Sequence, residues 1–474
     1  MKHDKPYPAY KNSSIAWIGE VPDHWEFKRA KWVFREIDVR SETGNEELLS
    51  VSEHYGVIKR KNANVTMFQA ASYVGYKLCK PGDLVINSLW AWSRGLGFSN
   101  YNGIVSTAYG VYRPNPKEVS DYQYFHYLLR TKRYVGQFAI RSKGIWISRL
   151  QLSDTSFFDI PILLPPPSEQ TVIARFLDYK LGKINRFIRK KKQLIKLLNE
   201  QKAAIINQAV TKGLNPNAPM KDSGVEWLGE VPEGWEKYKL KYLITKPIAG
   251  AWGVEPQNDS NDIICVRVAD FKDFGVKTEN LTIRNIDAKP EQILVAGDLL
   301  LEKSGGGEKT PVGRVVIFDG EFKAVTSNFV SKFSPKRDLI ISEYLLFIFK
   351  LINGVKWNFK SLKQTTGIQN IDTYQYMDNW VFIPIKDEQI TIVKHIKSEF
   401  IILDETIANI EKEITLVEEY KTALIAEAVT GKIDVRGYEV PEMESEEEGY
   451  EEMEEEMNMA AEDDAADYQT EEAE

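Results

Sequence analysis

The sequence predicts a mixed α/β (α+β) protein in which two globular domains are separated by two long antiparallel helices with pseudo-two-fold symmetry. Three observations predict it. The chain is written twice. Each copy ends in a long amphipathic stretch of fixed register. The region before that stretch differs in length between the copies.

The repeat is explicit. Trp17-Ile18-Gly19-Glu20-Val21-Pro22-Asp23-His24-Trp25-Glu26 returns 210 positions later as Trp227-Leu228-Gly229-Glu230-Val231-Pro232-Glu233-Gly234-Trp235-Glu236. Pro81-Gly82-Asp83-Leu84-Val85 is echoed by Ala296-Gly297-Asp298-Leu299-Leu300 at an offset of 215. Glu169-Gln170 and Ala209-Val210-Thr211 return as Glu388-Gln389 and Ala428-Val429-Thr430, both at 219. The offset drifts before each Glu-Gln and is constant after it. Globular regions with surface loops tolerate insertion, whereas a helix packed in register does not. The organisation is therefore a first domain over 1–165, a helix over 166–213, a linker and second domain over 214–385, a second helix over 386–432, and a tail over 433–474.

The first domain opens on the Trp motif and mixes β-rich runs such as Asp83-Leu84-Val85-Ile86-Asn87 with a helical stretch over 121–131. Pro165-Pro166-Pro167 bars an earlier helix start, and Ser168 before Glu169 is a start signal. From there Ile173, Leu177, Leu181, Ile184, Ile188, Lys191, Ile195, Leu198, Lys202, Ile205 and Ala209 recur in steps of three and four, a coiled-coil seam. At about 1.5 Å per residue the seam is ~55 Å long. The second domain repeats the mixture, with β-rich runs at 298–302 and 312–318 and a helical stretch at 342–352. Its helix carries the same seam: Ile392, Ile396, Phe400, Leu403, Ile407, Ile410, Ile414, Val417, Lys421, Leu424 and Ala428.

Charge indicates how the helices pair. Residues 180–202 hold nine basic side chains and one acidic, and residues 399–421 hold seven acidic and two basic. Opposite flanking charge favours pairing the two helices within one molecule, and the likeness of the halves makes that pair antiparallel. Lys202 and Lys421 fall at equivalent seam positions, where a polar group specifies register. The net charge of −8 conceals a division: residues 441–474 contain 17 Asp or Glu and no Lys, Arg or His, leaving a body of about +9. An acidic block of this kind resists compaction and reads as a disordered tail.

Composition excludes several classes. Two cysteines, Cys79 and Cys265, make neither a disulfide framework nor a zinc site. The five histidines are scattered. No apolar run reaches the roughly 18 residues of a membrane span, and the opening residues do not read as a signal peptide. The expectation is a cytoplasmic protein with no membrane partner.

The Trp-(Ile/Leu)-Gly-Glu-Val-Pro-x-x-Trp opening, the Gly-Asp-Leu element, the Pro-rich run into Glu-Gln and a long helix, and the duplicated layout together resemble the DNA-specificity subunit of type I restriction–modification enzymes. The resemblance spans about 1–436. It implies that each globular domain is a target-recognition domain reading one half of a split sequence in double-stranded DNA. It also implies that the helices dock two methyltransferase (modification) subunits, alongside restriction/translocase subunits, and that the chain itself is non-catalytic. S-adenosylmethionine, Mg and ATP would then be held by partner subunits, with no cofactor in this chain.

The residues agree with a non-catalytic chain. Leu164-Pro165-Pro166-Pro167-Ser168 lacks the polar start and the aromatic of an adenine-methyltransferase motif. Gly305-Gly306-Gly307-Glu308-Lys309-Thr310 lacks the spacing with which a P-loop cradles phosphate.

Phosphate is contacted by Lys, Arg and backbone N–H groups, and bases by Arg, Asn, Gln, Ser and Thr. Three clusters in the first domain fit: Lys59, Arg60 and Lys61; Asn87, Trp92, Ser93 and Arg94, directly after a strand; and Arg141 with Lys143. In the second domain Lys303, Ser304, Lys309 and Thr310 follow the equivalent strand, and Lys363, Gln364 and Thr365 are positioned like residues 141–144. Trp17, Trp25, Trp227 and Trp235 read as packing residues. The other function compatible with the duplication is a coiled-coil protein-interaction scaffold that does not read DNA. Salt dependence separates the two, because phosphate contacts make affinity fall steeply with salt.

Overall fold

The computed structural model describes residues 6–53, 55–62, 70–144, 150–305, 312–365 and 368–439. Its long helices are Pro167–Lys212 and Lys386–Val429. The first starts on a proline, whose fixed φ suits a first helical position where no N–H is needed. The chain divides into two units, Met1–Lys190 with Glu413–Glu474, and Lys191–Lys412. Neither unit coincides with a repeat. Each combines one globular domain with the first half of the helix that follows it and the second half of the other helix.

In the first unit, Ile173, Leu177 and Leu181 share a core with Leu424, Ala428 and Val429. In the second, Ile206, Ala209 and Val210 share a core with Ile392, Ile396 and Phe400. Early residues of one helix thus pack with late residues of the other, so the helices run antiparallel inside each unit. Every seam position named above is buried or half-buried. The two seam lysines are both partnered. Lys202 Nζ lies 2.7 Å from Asp404 Oδ1 in the second unit, and Lys421 Nζ lies 2.6 Å from Asn185 Oδ1 in the first. Asp404 and Asn185 occupy equivalent positions, so one contact recurs twice, once as an ion pair and once as a hydrogen bond to a neutral amide.

The globular part of the first unit centres on a four-stranded antiparallel sheet ordered Phe34–Glu36, Tyr109–Pro114, Leu84–Asn87, Leu96–Phe98. The second unit has the same order with Ile248–Ala249, Val330–Phe333, Leu299–Glu302 and Val315–Ile317. The Gly-Asp-Leu element enters the third strand of each. Asp83 accepts the Lys80 N–H at 2.9 Å and pairs with Arg113 at 2.7 Å; Asp298 accepts the Val295 N–H at 2.9 Å and pairs with Lys332 at 2.9 Å. In both copies this aspartate closes a tight turn and ties it to the neighbouring strand.

The Trp motif and the Glu-Gln pair meet. Trp25, fully buried, donates its indole N–H to Glu169 at 3.0 Å, and Trp235 donates to Glu388 at 3.1 Å. Both carboxylates lie in the first turn of a long helix, where the helix dipole favours negative charge. Glu169 also accepts Tyr7 Oη–H at 3.0 Å and contacts His24 Nε2 at 2.6 Å. The adjacent glutamines bind backbone: Gln170 Nε2 donates to Pro165 and Glu118 carbonyls, and Gln389 Nε2 to Pro384 and Leu339 carbonyls. The repeated residues therefore form the joint between each domain and its helix. Trp17, half-buried edge-on to Tyr134 at 5.0 Å, and Trp227, tilted against Trp357, are packing residues as well.

Candidate nucleic-acid interface

In the first unit the candidate clusters collect at one end of the four-stranded sheet. The strand Leu84–Asn87 ends opposite Tyr109, and the chain then turns through residues 88–95 before returning as Leu96–Phe98. This loop is closed by its own backbone: Trp90 N–H donates to the Asn87 carbonyl at 3.0 Å, Gly95 N–H to the Trp90 carbonyl at 2.8 Å, and Asn87 N–H to the Gly95 carbonyl at 2.8 Å. Gly95 is required there, since a Cβ would meet the Trp90 carbonyl oxygen at 2.7 Å. Asn87 Oδ1 accepts the Leu89 N–H, the Trp92 indole donates to the Leu89 carbonyl, and the Ser93 hydroxyl donates to Glu53. Three of the expected contact residues thus shape the loop. Arg94 is left-handed, with φ +57°, a conformation uncommon outside glycine that concentrates at functional loops.

A half-buried cation ties the loop to its neighbours. The Arg130 guanidinium donates to the carbonyls of Arg94, Leu96 and Glu53. Burial pushes its pKa down to about 10, so it remains charged at neutral pH. The 141–143 segment joins the same place. Lys143 and Gln151 exchange backbone hydrogen bonds at 3.0 Å, and Leu152 N–H donates to the Ser88 carbonyl at 2.9 Å. Arg141 donates to Gln137 on its own helix, Lys132–Arg141. The third cluster follows the strand Gly56–Lys59. Lys59 Nζ sits 5.3 Å over the Tyr101 ring, and Arg60 reaches Ser50 Oγ at 3.5 Å. Burial raises the pKa of Tyr109, and the positive charge of Arg60 partly offsets this. Since Tyr109 is the cross-strand partner of Asn87, the residue 59–61 turn borders the same sheet end. Among the described residues no carboxylate pairs with Arg60, Lys61, Arg94, Arg141 or Lys143. By contrast, Lys28, Arg29 and Arg113 of the same unit are paired with Glu118, Asp159 and Asp83.

In the second unit the two described clusters are strands of one small sheet, ordered Ser304–Gly305, Ile368–Ile371, Leu362–Thr365. Ser304 and Lys363 both lie opposite Asn370, and Gly305 and Gln364 both lie opposite Gln369. Ser304 Oγ donates to Asn370 Oδ1 at 2.6 Å, and the Ile371 N–H donates to the Lys303 carbonyl at 2.8 Å. Burial lowers the Lys303 pKa. Lys363 is committed to Asp372 at 2.6 Å, and that hydrogen bond holds the Asp372 carboxyl below its usual range. Lys309 and Thr310 lie outside the described residues, as do the side chains of Gln364 and Thr365. The structure adds Asn370, whose side-chain carbonyl takes the Ser304 hydroxyl; Gln369 beside it is buried. The sequence signal for that second strand is Thr366-Gly367 between two short polar runs, a hairpin pattern.

His126 lies beneath the first-domain site, where a Cβ on Gly56 would come within 2.8 Å of its ring. Burial, aided by the positive charge of Arg130, pushes its pKa down to about 3. The unfolded chain binds a proton at this imidazole near pH 6.5 and the folded chain does not. Stability is therefore full above that value and lost as pH falls toward 3. The loss expected by pH 4 is on the order of a few kcal/mol. Thermal melts of wild type and His126→Gln between pH 7 and 4 measure it. A wild-type slope no steeper than that of the variant excludes the effect.

Among the described residues no helix is long and apolar enough to cross a membrane, and no group of three His, Cys, Asp or Glu is placed to hold a metal ion. The family profile described as type I restriction modification DNA specificity domain matches the chain twice, over 22–197 and 232–418. The MjaVIII specificity subunit of Methanocaldococcus jannaschii is 26% identical over 368 residues, covering 75% of this chain and 81% of the relative. The StySPI specificity subunit of Salmonella potsdam is 22% identical, covering 67% of each. A chain solved in work on complex assembly and conformational transition of the type I R-M system shares the fold with a TM-score of 0.62 at 15% identity, over 87% of this chain and 99% of that one. The two profile matches each take in one Glu-Gln joint, the proline before it and most of one seam helix, so the chain belongs to the type I restriction–modification DNA specificity family and carries its domain in duplicate.

Proposed function

We propose that this chain is the non-catalytic, DNA-reading subunit of a type I restriction–modification complex, and that its two domains read the two different halves of a split target. The observation that supports this reading most strongly is the convergence in the first unit. Three clusters spread over residues 59 to 143 of the sequence meet at one sheet end, with several cations that no described carboxylate neutralises. The second domain offers a different surface, a polar three-stranded ribbon with Ser304 and Asn370, which suits a different half-site. The paired helices dock methyltransferase subunits, in two copies because the chain presents its helical surface twice, and restriction subunits join that assembly. S-adenosylmethionine, Mg and ATP belong to those partners.

Adenine methylation mapped across a host genome, with and without this chain, tests the reading. The expected result is a two-part motif with a fixed gap that vanishes with the chain. Replacing residues 227–385 by the second domain of a relative is expected to change one half of that motif only. A four-residue insertion in one helix is expected to change the gap and neither half. Loss of the chain without loss of a methylation motif would overturn the proposal.

A further inference from the structure

The loop between strands Leu84–Asn87 and Leu96–Phe98 carries a feature that charge does not explain. Trp90 is 50% exposed and Leu89 37% exposed at its tip. The Trp90 ring is stacked on Trp92, with centroids 5.7 Å apart and planes 19° apart. Trp92 is fixed in turn by its indole hydrogen bond to the Leu89 carbonyl. The backbone hydrogen bonds across residues 87–95 and the Arg130 clamp hold the whole tip in one shape. A flat aromatic surface is thus presented to solvent by a rigid loop, and its ordering cost is already met on folding.

The setting identifies the occupant. Arg94 follows directly on the loop, and Lys143 is joined to it through Gln151, Leu152 and Ser88; neither has a carboxylate partner among the described residues. The nearby carboxylate, Glu53, takes the Ser93 hydroxyl and is offset electrostatically by the Arg130 guanidinium. An apolar plate rimmed by unneutralised cations fits a duplex, which offers phosphates at the rim and sugar and base surfaces between them. A protein partner would have to place carboxylates to match that rim, whereas every duplex carries phosphates there.

We propose that Trp90, with Leu89 beside it and Trp92 behind it, packs against a base of the first half-site. That half-site is then held in part by a contact that releases no counterion. The inference rests on the DNA-reading function above. Its second consequence is an asymmetry: the second domain meets its half-site through the polar ribbon of Ser304 and Asn370 and has no part in this contact.

The test uses the full chain assembled with its methyltransferase subunits. Three duplexes serve as probes: one with the two-part motif from the methylation map, one with the first half scrambled, and one with the second half scrambled. Trp90→Ala is expected to weaken binding to the intact motif about tenfold, which corresponds to ~1.4 kcal/mol. The slope of log affinity against log salt is expected to stay at its wild-type value, since no phosphate contact is removed. Binding to the duplex with a scrambled first half should be unchanged, and Trp90→Phe should restore most of the affinity. Wild-type affinity in Trp90→Ala, a reduced salt slope, or an equal loss on the duplex with the scrambled first half would each overturn the inference while leaving the DNA-reading function intact. If the wild-type complex binds all three duplexes alike, the DNA-reading function itself fails, and this contact with it.

Discussion

Trp25→Ala is expected to cost the first unit about 3–5 kcal/mol, the range for truncating a fully buried large aromatic. The side chain fills the core where the Trp motif, the start of the long helix and the end of the other long helix meet. Its loss also removes one of the donors that hold Glu169. Trp25→Phe keeps most of the volume and loses the indole N–H, so its expected cost is smaller, about 1–2 kcal/mol. Trp235→Ala should act likewise on the second unit, through Glu388. Urea melts of the full chain measure all three. A cost below about 1 kcal/mol for Trp25→Ala would show that the joint does not carry this stability.

The seam lysine of the second unit gives the next largest effect, and its sign depends on which partner is removed. The Lys202 side chain is 9% exposed and that of Asp404 57%. The ammonium also lies 4.8 Å over Phe400 and 5.6 Å over Phe274. Asp404→Ala leaves a buried ammonium without its carboxylate, at an expected cost of about 1–3 kcal/mol. Lys202→Met frees an aspartate that water already reaches and fills the seam with an apolar chain of similar length. It should be neutral or mildly stabilising, as replacements of buried charge by well-packed apolar groups often are. Melting temperatures of the two variants decide. Equal destabilisation by both would mean that the ion pair, and not the burial of one charge, sets the energetics.

How far the sequence could be read follows from what each feature depends on. The seam from Ile173 to Ala209 was legible because helical period is local, and the burial of those positions follows it. Lys202 and Lys421 were legible as polar seam positions. Their partners were not, because the register between two helices more than 200 residues apart is a property of the pair. Glu169-Gln170 was visible as a repeat, but nothing local says that Glu169 receives an indole N–H. At the candidate interface, residues 87–95 stood out by composition and by following a strand. Their hydrogen bonding to one another, and the Arg130 clamp 36 residues from Arg94, come from tertiary packing. Asn370 was not legible for the same reason: its place opposite Ser304 depends on a strand pairing 66 residues apart.

The allotment of the helices has a consequence for biosynthesis. The second unit, Lys191–Lys412, is one uninterrupted stretch and can close as soon as residue 412 has left the ribosome. The first unit is made of two stretches, and its last piece is translated after the second unit is complete. Until Leu424, Ala428 and Val429 arrive, the flank of Ile173, Leu177 and Leu181 that they cover is open to water. Transiently bare apolar surface of this kind is where nascent chains engage chaperones or aggregate. A stalled nascent chain in which residues up to 412 have cleared the exit tunnel, with an unstructured linker in place of residues 413 onward, should therefore show a protease-resistant second unit beside a first unit that is still easily cut.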